Sequence, residues 1–271
     1  MSVLIAAVTV FLVSAVLWNV FVRRPGPRPS PAPAPPPPSA AAPPAAPDSA
    51  PPRQAGAPES AVQAAPPLPD AGVGGVSYMV LMARSDARRR IRASRGLTYL
   101  NEIVAASQDS VLHRWDNRIL RPVRVYLPPG TVANFQPVFL DAVRRAFQRW
   151  EDAGVPVRFN LDADTTDAEV RFRWRIQFES ERTGQTEVQW DQDGHLLSGV
   201  VTLATFDPKG QPLTVDDMRV VALHEIGHLI GLDHSPDSSD VMFATTKARD
   251  LSARDIQTAL LLYQLAPGSL R

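Results

Sequence analysis

The chemistry this chain can perform is concentrated in one short stretch, His224-Glu225-Ile226-Gly227-His228-Leu229-Ile230-Gly231-Leu232-Asp233-His234. If its first part is helical, His224 and His228 stand on one face with Cβ atoms about 5–6 Å apart. Two imidazole nitrogens can then reach one metal ion at roughly 2.0–2.1 Å each. A continuing straight helix would carry His234 to another face and more than a turn along the axis. Gly231 removes that obstacle, because a glycine closing a helix can take the left-handed conformation that turns the chain back. Three neutral imidazoles leave a tetrahedral zinc ion one open position for water, the arrangement of a catalytic site rather than a structural one. Such an ion lowers the pKa of its water toward about 7 and polarises a carbonyl beside it. Glu225 projects next to the ion, placed to take a proton from the water and return it to a leaving amine. A lone His or Glu on a helix is ordinarily a satisfied core or surface residue. A fixed pattern that uses three of only 5 histidines in the chain is not explained that way.

Composition narrows the alternatives. With 0 Cys the chain has no thiol nucleophile, disulfide scaffold, iron–sulfur ligand or thiolate zinc knuckle, so metal chemistry must use His and carboxylates. The 28 Lys+Arg balance 28 Asp+Glu, and no nucleic-acid partner is expected. Arg84, Arg88, Arg89, Arg90, Arg92 and Arg95 are candidates for binding phosphate or an anionic membrane surface. Without interleaved aromatics they read better as a solvated helical face.

The elements that must position the motif are legible around it. Thr214 with Asp217 is a capping-box start for the helix that enters His224, and Ser252 with Asp255 repeats the signal for a last helix carrying Ile256, Leu260 and Tyr263. Upstream, Val123, Val125 and Leu127 alternate as a strand stopped by Pro128-Pro129-Gly130. Phe139, Val143, Ala146, Phe147 and Trp150 form one apolar helical stripe ended by Gly154. Val157, Phe159 and Leu161 read as a second strand, and Val170, Phe172, Trp174, Ile176 and Phe178 as a third. Gly184 and Gly194 punctuate a hairpin-like region before a further strand at Val200–Phe206. Ser85 to Ser107 reads as one helix carrying Ile91, Leu97, Leu100, Ile103 and Val104.

The chain divides into unlike parts: a transmembrane anchor at 1–24, a Pro/Ala-rich linker at 25–75, a helical N-terminal extension at 76–120 and a single α+β domain at 121–271. Val3–Val22 is a run of 20 uncharged residues, long enough at about 1.5 Å per residue to span a bilayer core. Its length and the lack of preceding charge favour an uncleaved membrane anchor over a signal peptide. Arg23, Arg24 and Arg28 would by the positive-inside rule hold the downstream chain in the cytoplasm. Between residues 25 and 70 there are 18 prolines and 13 alanines, a composition that buries no core and suits an extended tether.

His-Glu-x-x-His-x-x-Gly-x-x-His is the signature of the metzincin metallopeptidases, in which a Met-turn lies downstream. Here His234-Ser235-Pro236-Asp237-Ser238-Ser239-Asp240-Val241-Met242 resembles the matrixin branch, and Leu251-Ser252-Ala253-Arg254-Asp255-Ile256 resembles that family's start of the last helix. The resemblance covers Arg121 to Leu265. It implies a metzincin-like α+β domain with a mixed sheet, an active-site helix and a C-terminal helix. It also implies one zinc ion on His224, His228 and His234, Glu225 as general base, and Met242 as the floor under the metal. The implied activity is hydrolysis of an extended polypeptide lying along a sheet edge, with the oxyanion stabilised mainly by the metal. The edge strand is expected near Val200–Phe206. Phe206-Asp207 resembles an acidic loop that holds calcium in the family. Because matrixin-like peptidases mostly act outside the cytoplasm, the resemblance implies export against the arginine flank, and the chain is expected to be a monomer.

Several features depart from the family. The chain lacks the propeptide cysteine that imposes latency in vertebrate matrixins, and only His113 and His195 remain for a second, structural zinc, too few for a three-His site. Phe243-Ala244 replaces Tyr-Pro after the Met, which bears on pocket shape. Two competing readings are a catalytically silent zinc- and peptide-binding module tethered to the membrane, and a tethered adhesion or scaffold protein. Whether 76–120 is an inhibitory prosegment or part of the folded domain is open at the level of sequence.

Overall fold

Apolar residues at alternate positions build strands that bury one face, and helices with a single apolar stripe cover that face. A computed structural model of the chain describes residues 76–106 and 110–270. The expected anchor Val3–Val22 and the linker lie outside the described residues. Among the residues described, no helix is long and apolar enough to cross a membrane.

In chain order the elements are α1 (Tyr78–Ala93), α2 (Leu100–Ala106), β1 (Val111–Leu112), β2 (Arg118–Tyr126), α3 (Val138–Asp152), β3 (Val157–Asn160), β4 (Val170–Arg175), β5 (Gly184–Trp190), β6 (Leu196–Ala204), α4 (Val215–Leu229), α5 (Ala253–Gln264) and β7 (Gly268–Ser269). The main sheet has the order β3-β2-β4-β6-β5. β2 runs parallel to β3 and β4, and β4 parallel to β6, while β5 closes the sheet antiparallel to β6. A separate antiparallel pair joins β1 to β7. This is the expected mixed-sheet α+β architecture.

The core lies between the sheet and helices α3 and α4. Val123, Val125, Val170, Phe172, Val201 and Leu203 on the strands are buried with Phe139, Val143, Phe147 and Trp150 of α3 and Met218, Leu223 and Ile226 of α4. Each such side chain contributes roughly 1.5–3 kcal/mol on leaving water. Two indoles also hold α4 by its carbonyls: Trp150 Nε1 donates to Leu223 O at 2.9 Å and Trp115 Nε1 to Leu229 O at 2.9 Å. The helix that carries the motif is thus fixed along its length and at its end.

Three readings need correction. The single helix expected at Ser85–Ser107 is two, α1 and α2, because the chain turns between them at Gly96, whose φ is +83°. The Leu97 and Thr98 N–H groups donate to Ser94 O, and the Ser94 hydroxyl donates to Ile91 O. Strand structure begins at Val111 and β2 at Arg118, so the stretch up to 120 is only partly helical. The strand expected at the edge, Val200–Phe206, corresponds to β6 and lies inside the sheet; the edge next to it is β5, folded back on β6 by the turn at Asp191–Gly194, and the opposite edge is β3. From Met79 onward the described residues form one compact unit, and Ala87, Ile91, Tyr99, Leu100 and Ile103 belong to its buried core.

Candidate active site

Helix α4 starts as its sequence dictates. The Thr214 hydroxyl accepts the Asp217 N–H and the Asp217 carboxylate accepts the Thr214 N–H, a closed capping box. The helix stops at Ile230. There the Gly231 N–H donates to His228 O and the Leu232 N–H to Gly227 O, both at 3.0 Å. Gly231 has φ +102°, and a Cβ on it would lie 2.0 Å from the carbonyl oxygen of His113. Only glycine fits both demands, and the turn it permits brings His234 back. The His234 ring centroid lies 5.2 Å from that of His224 and 4.9 Å from that of His228.

The three imidazoles are a group whose ligand atoms lie within 4.8 Å of one another and could hold a metal ion. Two of the rings are oriented by the backbone: His224 Nδ1 donates to Val241 O at 2.7 Å and His228 Nδ1 to Leu232 O at 2.9 Å. A carbonyl only accepts, so both Nδ1 atoms carry the proton and both Nε2 atoms present lone pairs. Those Nε2 atoms are 3.2 Å apart. Two facing lone pairs are tolerated around a shared cation, and tetrahedral zinc with bonds of about 2.0–2.1 Å sets a nitrogen separation of about 3.3 Å. The donor set therefore fits the metal. Burial lowers His224 to about 4, with only partial relief from the Val241 carbonyl. Burial, followed by repulsion from the other two imidazoles, holds His228 well below its ordinary value, and His234 is lowered by burial as well. All three are thus kept in the neutral form that binds metal.

Met242 is fully buried under this group, and a Cβ on Gly227 would meet its Sδ at 2.2 Å. The methionine therefore packs directly on the helix backbone between the two helical histidines. Its loop is closed by the Ser235 N–H donating to Met242 O at 2.9 Å.

Glu225, on the same helix, faces the edge strand. The Thr186 hydroxyl of β5 donates to Glu225 Oε2 at 2.7 Å, with Glu225 O a second acceptor at 3.0 Å. A Cβ on Gly184 would lie 2.3 Å from Glu225 Oε1, so the start of β5 must be glycine for the carboxyl to fit. Burial pushes the Glu225 carboxyl up to about 7, opposed by the Thr186 hydroxyl and by Arg182. A carboxyl there can both accept and release a proton near neutrality. The roles of Thr186 and the Val241 carbonyl are not visible in the sequence, because strand pairing and the Met-turn bring them to the motif from outside it.

The remaining site candidates do not join this cluster. Asp207 closes its own turn, its Oδ1 accepting the Lys209 and Gln211 N–H groups at 2.9 and 2.7 Å. His113 packs against Trp190 with ring centroids 4.1 Å apart. His195 forms a second group with Asp191 and Asp193 in the β5–β6 turn.

Comparison with known proteins gives a consistent answer. Residues 135–264 match the profile of the matrixin family. Metalloendoproteinase 1-MMP of Arabidopsis thaliana is 32% identical over 133 residues, 44% of this chain and 36% of that protein. Metalloendoproteinase 1 of Glycine max is 30% identical over 148 residues, 48% of this chain and 47% of that protein. Metalloendoproteinase 4-MMP of Arabidopsis thaliana is 30% identical over 149 residues, 46% of this chain and 40% of that protein. The chain thus spans less than half the length of the curated relatives it matches.

Proposed function

From the premise that this chain carries a matrixin-type metzincin domain, we propose that it is a zinc metalloendopeptidase that hydrolyses peptide bonds in extended polypeptides. The observation that carries the proposal is the convergence of three neutral imidazoles, two of them with Nε2 lone pairs facing each other, with an ionisable carboxyl beside them. His224, His228 and His234 would hold the ion. When bound, zinc supplies Lewis-acid polarisation of the scissile carbonyl and acidifies a coordinated water.

The chain's own residues do the rest. Glu225 takes up the proton of the attacking water and returns it to the leaving nitrogen. Thr186 fixes the carboxyl of Glu225 in rotation, so that the base does not have to be ordered at the moment of reaction. Met242 supports the backbone between the helical histidines. Substrate would add as a strand to the free edge of β5, where main-chain pairing supplies affinity without demanding a particular sequence. The strand that would receive the substrate is then also the strand that orients the base. Val3–Val22 would anchor the domain to a membrane and the Pro/Ala-rich segment would tether it, with the domain on the extracytoplasmic side. The support for the anchor is the sequence, and the support for the extracytoplasmic side is the family resemblance alone, against the arginine flank.

The test is cleavage of a mixed peptide library by the zinc-loaded full chain beside its Glu225→Ala variant. Glu225→Ala is expected to keep its zinc and lose about 10²–10⁴ in turnover. A zinc-loaded wild type that binds peptides and cleaves none would sink the peptidase reading in favour of a silent zinc- and peptide-binding module.

A further inference from the structure

Tyr99, in the segment connecting α1 and α2, lies far along the chain from the histidine motif, yet it is fully buried and its hydroxyl donates to Asp255 Oδ1 at 3.0 Å. Its own N–H donates to Thr258 Oγ1 at 3.1 Å, so backbone and side chain both dock on α5. Asp255 is fully buried too, and its carboxylate serves more than its helix. Oδ2 accepts the Ser252 N–H at 2.9 Å in the capping box and also the Val241 N–H at 2.9 Å; Oδ1 accepts the Met242 N–H at 3.4 Å. The carbonyl of that same Val241 residue receives the His224 Nδ1 proton. A continuous path therefore runs from the Tyr99 hydroxyl through one carboxylate and one residue of the Met-turn to the first imidazole of the candidate metal centre.

The geometry points to Tyr99 as a positioning residue for His224, and hence to the segment carrying α1 and α2 as an outer layer of the metal site rather than a removable prosegment. The inference rests on the zinc-peptidase reading above. The physical reason is directional. Asp255 must present its two oxygens in one plane to three separate backbone N–H groups, and a buried carboxylate with fewer fixed donors can rotate. Tyr99 supplies a fourth donor, and its direction is set by a ring packed in the core, with the Arg254 guanidinium 5.8 Å from the ring centroid. Burial and then the Asp255 charge keep this phenol far above its ordinary range, so it stays a donor at every working pH. Groups that orient a ligand imidazole commonly change metal affinity when removed, and here the effect passes through one more bond.

The experiment compares the wild-type chain with Tyr99→Phe, which keeps the ring and deletes the hydroxyl. The control is Ile103→Val, which trims a buried, wholly apolar side chain of α2. Zinc release to a chelator, kcat and KM, thermal melting, and hydrogen exchange of the Val241 and Met242 amides are read for each. Tyr99→Phe is expected to release zinc about three- to tenfold faster, with kcat lowered and KM unchanged. Exchange at the two amides should quicken, and Ile103→Val, with a comparable loss of melting temperature, should show none of these changes. Equal zinc release in the two variants overturns the inference, since the effect would then be one of stability alone. Should the wild type bind no zinc, the peptidase reading fails by itself, and the two amides decide. Faster exchange in Tyr99→Phe supports the positioning role, and unchanged exchange overturns it.

Discussion

Among the described residues, side chains of the kinds that could ligate a metal gather in two places, and they are built in opposite ways. At the Asp191, Asp193 and His195 group, the polar atoms answer one another. Asp191 Oδ1 accepts the Asp193 and His195 N–H groups at 3.0 and 2.9 Å, and the His195 ring lies between Asp191 Oδ2 and Asp116 Oδ1, 3.3 Å from each. The bonds to Asp191 close the turn that joins β5 to β6, and they account for the proximity of the three residues. At His224 and His228 the orienting bonds run to backbone carbonyls, and the Nε2 atoms of the two rings turn inward toward each other, with the His234 ring alongside. Nearness alone does not distinguish the two groups. The difference lies in what the ligand atoms face: turn N–H groups for Asp191 and carboxylates for the His195 ring in one case, and other lone pairs that a shared cation would reconcile in the other.

Four measurements bear on that comparison. The largest effect is expected from His228→Ala, which should weaken zinc binding by on the order of a hundredfold or more, while His195→Ala leaves zinc content unchanged. Metal analysis of both variants checks this, and loss of an ion from His195→Ala would break the distinction. Next come the glycines that shape the two groups. Gly231→Ala places a Cβ against the His113 carbonyl at φ +102° and should lower unfolding free energy by about 3 kcal/mol or more and release zinc. Gly194→Ala, at φ +84° and 2.5 Å from Leu112 O, should destabilise similarly in urea titrations yet keep the metal.

The third is a pH window in the metal-free protein. His224 has its folded value depressed from 6.5 to about 4, so the unfolded chain takes up the proton first. Stability should fall as pH drops through that interval, by on the order of 1–3 kcal/mol, and zinc-loaded protein should resist the change. Asp191 behaves differently. Burial raises its value, but the N–H groups of His195 and Asp193 outweigh this and leave it below 3.8, so its contribution is present above 3.8 and lost only in stronger acid. Melting curves of chelated and loaded protein between these limits separate the two groups. The smallest effect is expected from Asp193→Asn, under about 0.5 kcal/mol and without change in activity, because it only trims an exposed turn residue.

The histidine site is readable in the sequence because its determinants are local. Two histidines at helical spacing, a glycine closing the helix and a capping box at its start all act within about twenty residues of one another. The place of the edge strand is not readable. Thr186, Val188 and Trp190 alternate with Gln185, Glu187 and Gln189, in keeping with the hairpin-like region, but no local signal says that this strand borders the sheet or that Gly184 and Thr186 meet Glu225. What defines β5 as a strand is its antiparallel pairing with β6. The break between α1 and α2 has one local sign, Gly96 at φ +83°, but Ser94 and Thr98 are tolerable inside a helix, and the groups that make Tyr99 turn inward, Thr258 and Asp255, lie on the last helix. Asp255 itself is recognisable as part of a cap, and its second role at the Met-turn depends on contacts that no periodicity records.

The short pairing of β1 with β7 has a mechanical consequence. Val111 lies opposite Ser269 and Leu112 opposite Gly268, and the Leu270 N–H donates to Ser110 O. Because the two strands are antiparallel, the chain enters at residue 110 and leaves at residue 270 on the same side of this ladder. Tension between those points would load the hydrogen bonds one at a time and unzip the seam, whereas the parallel strands of the main sheet would have to slide past each other together. Force applied at residues 110 and 270 would thus open this seam first, at low force, and leave the main sheet and the histidine cluster assembled behind it.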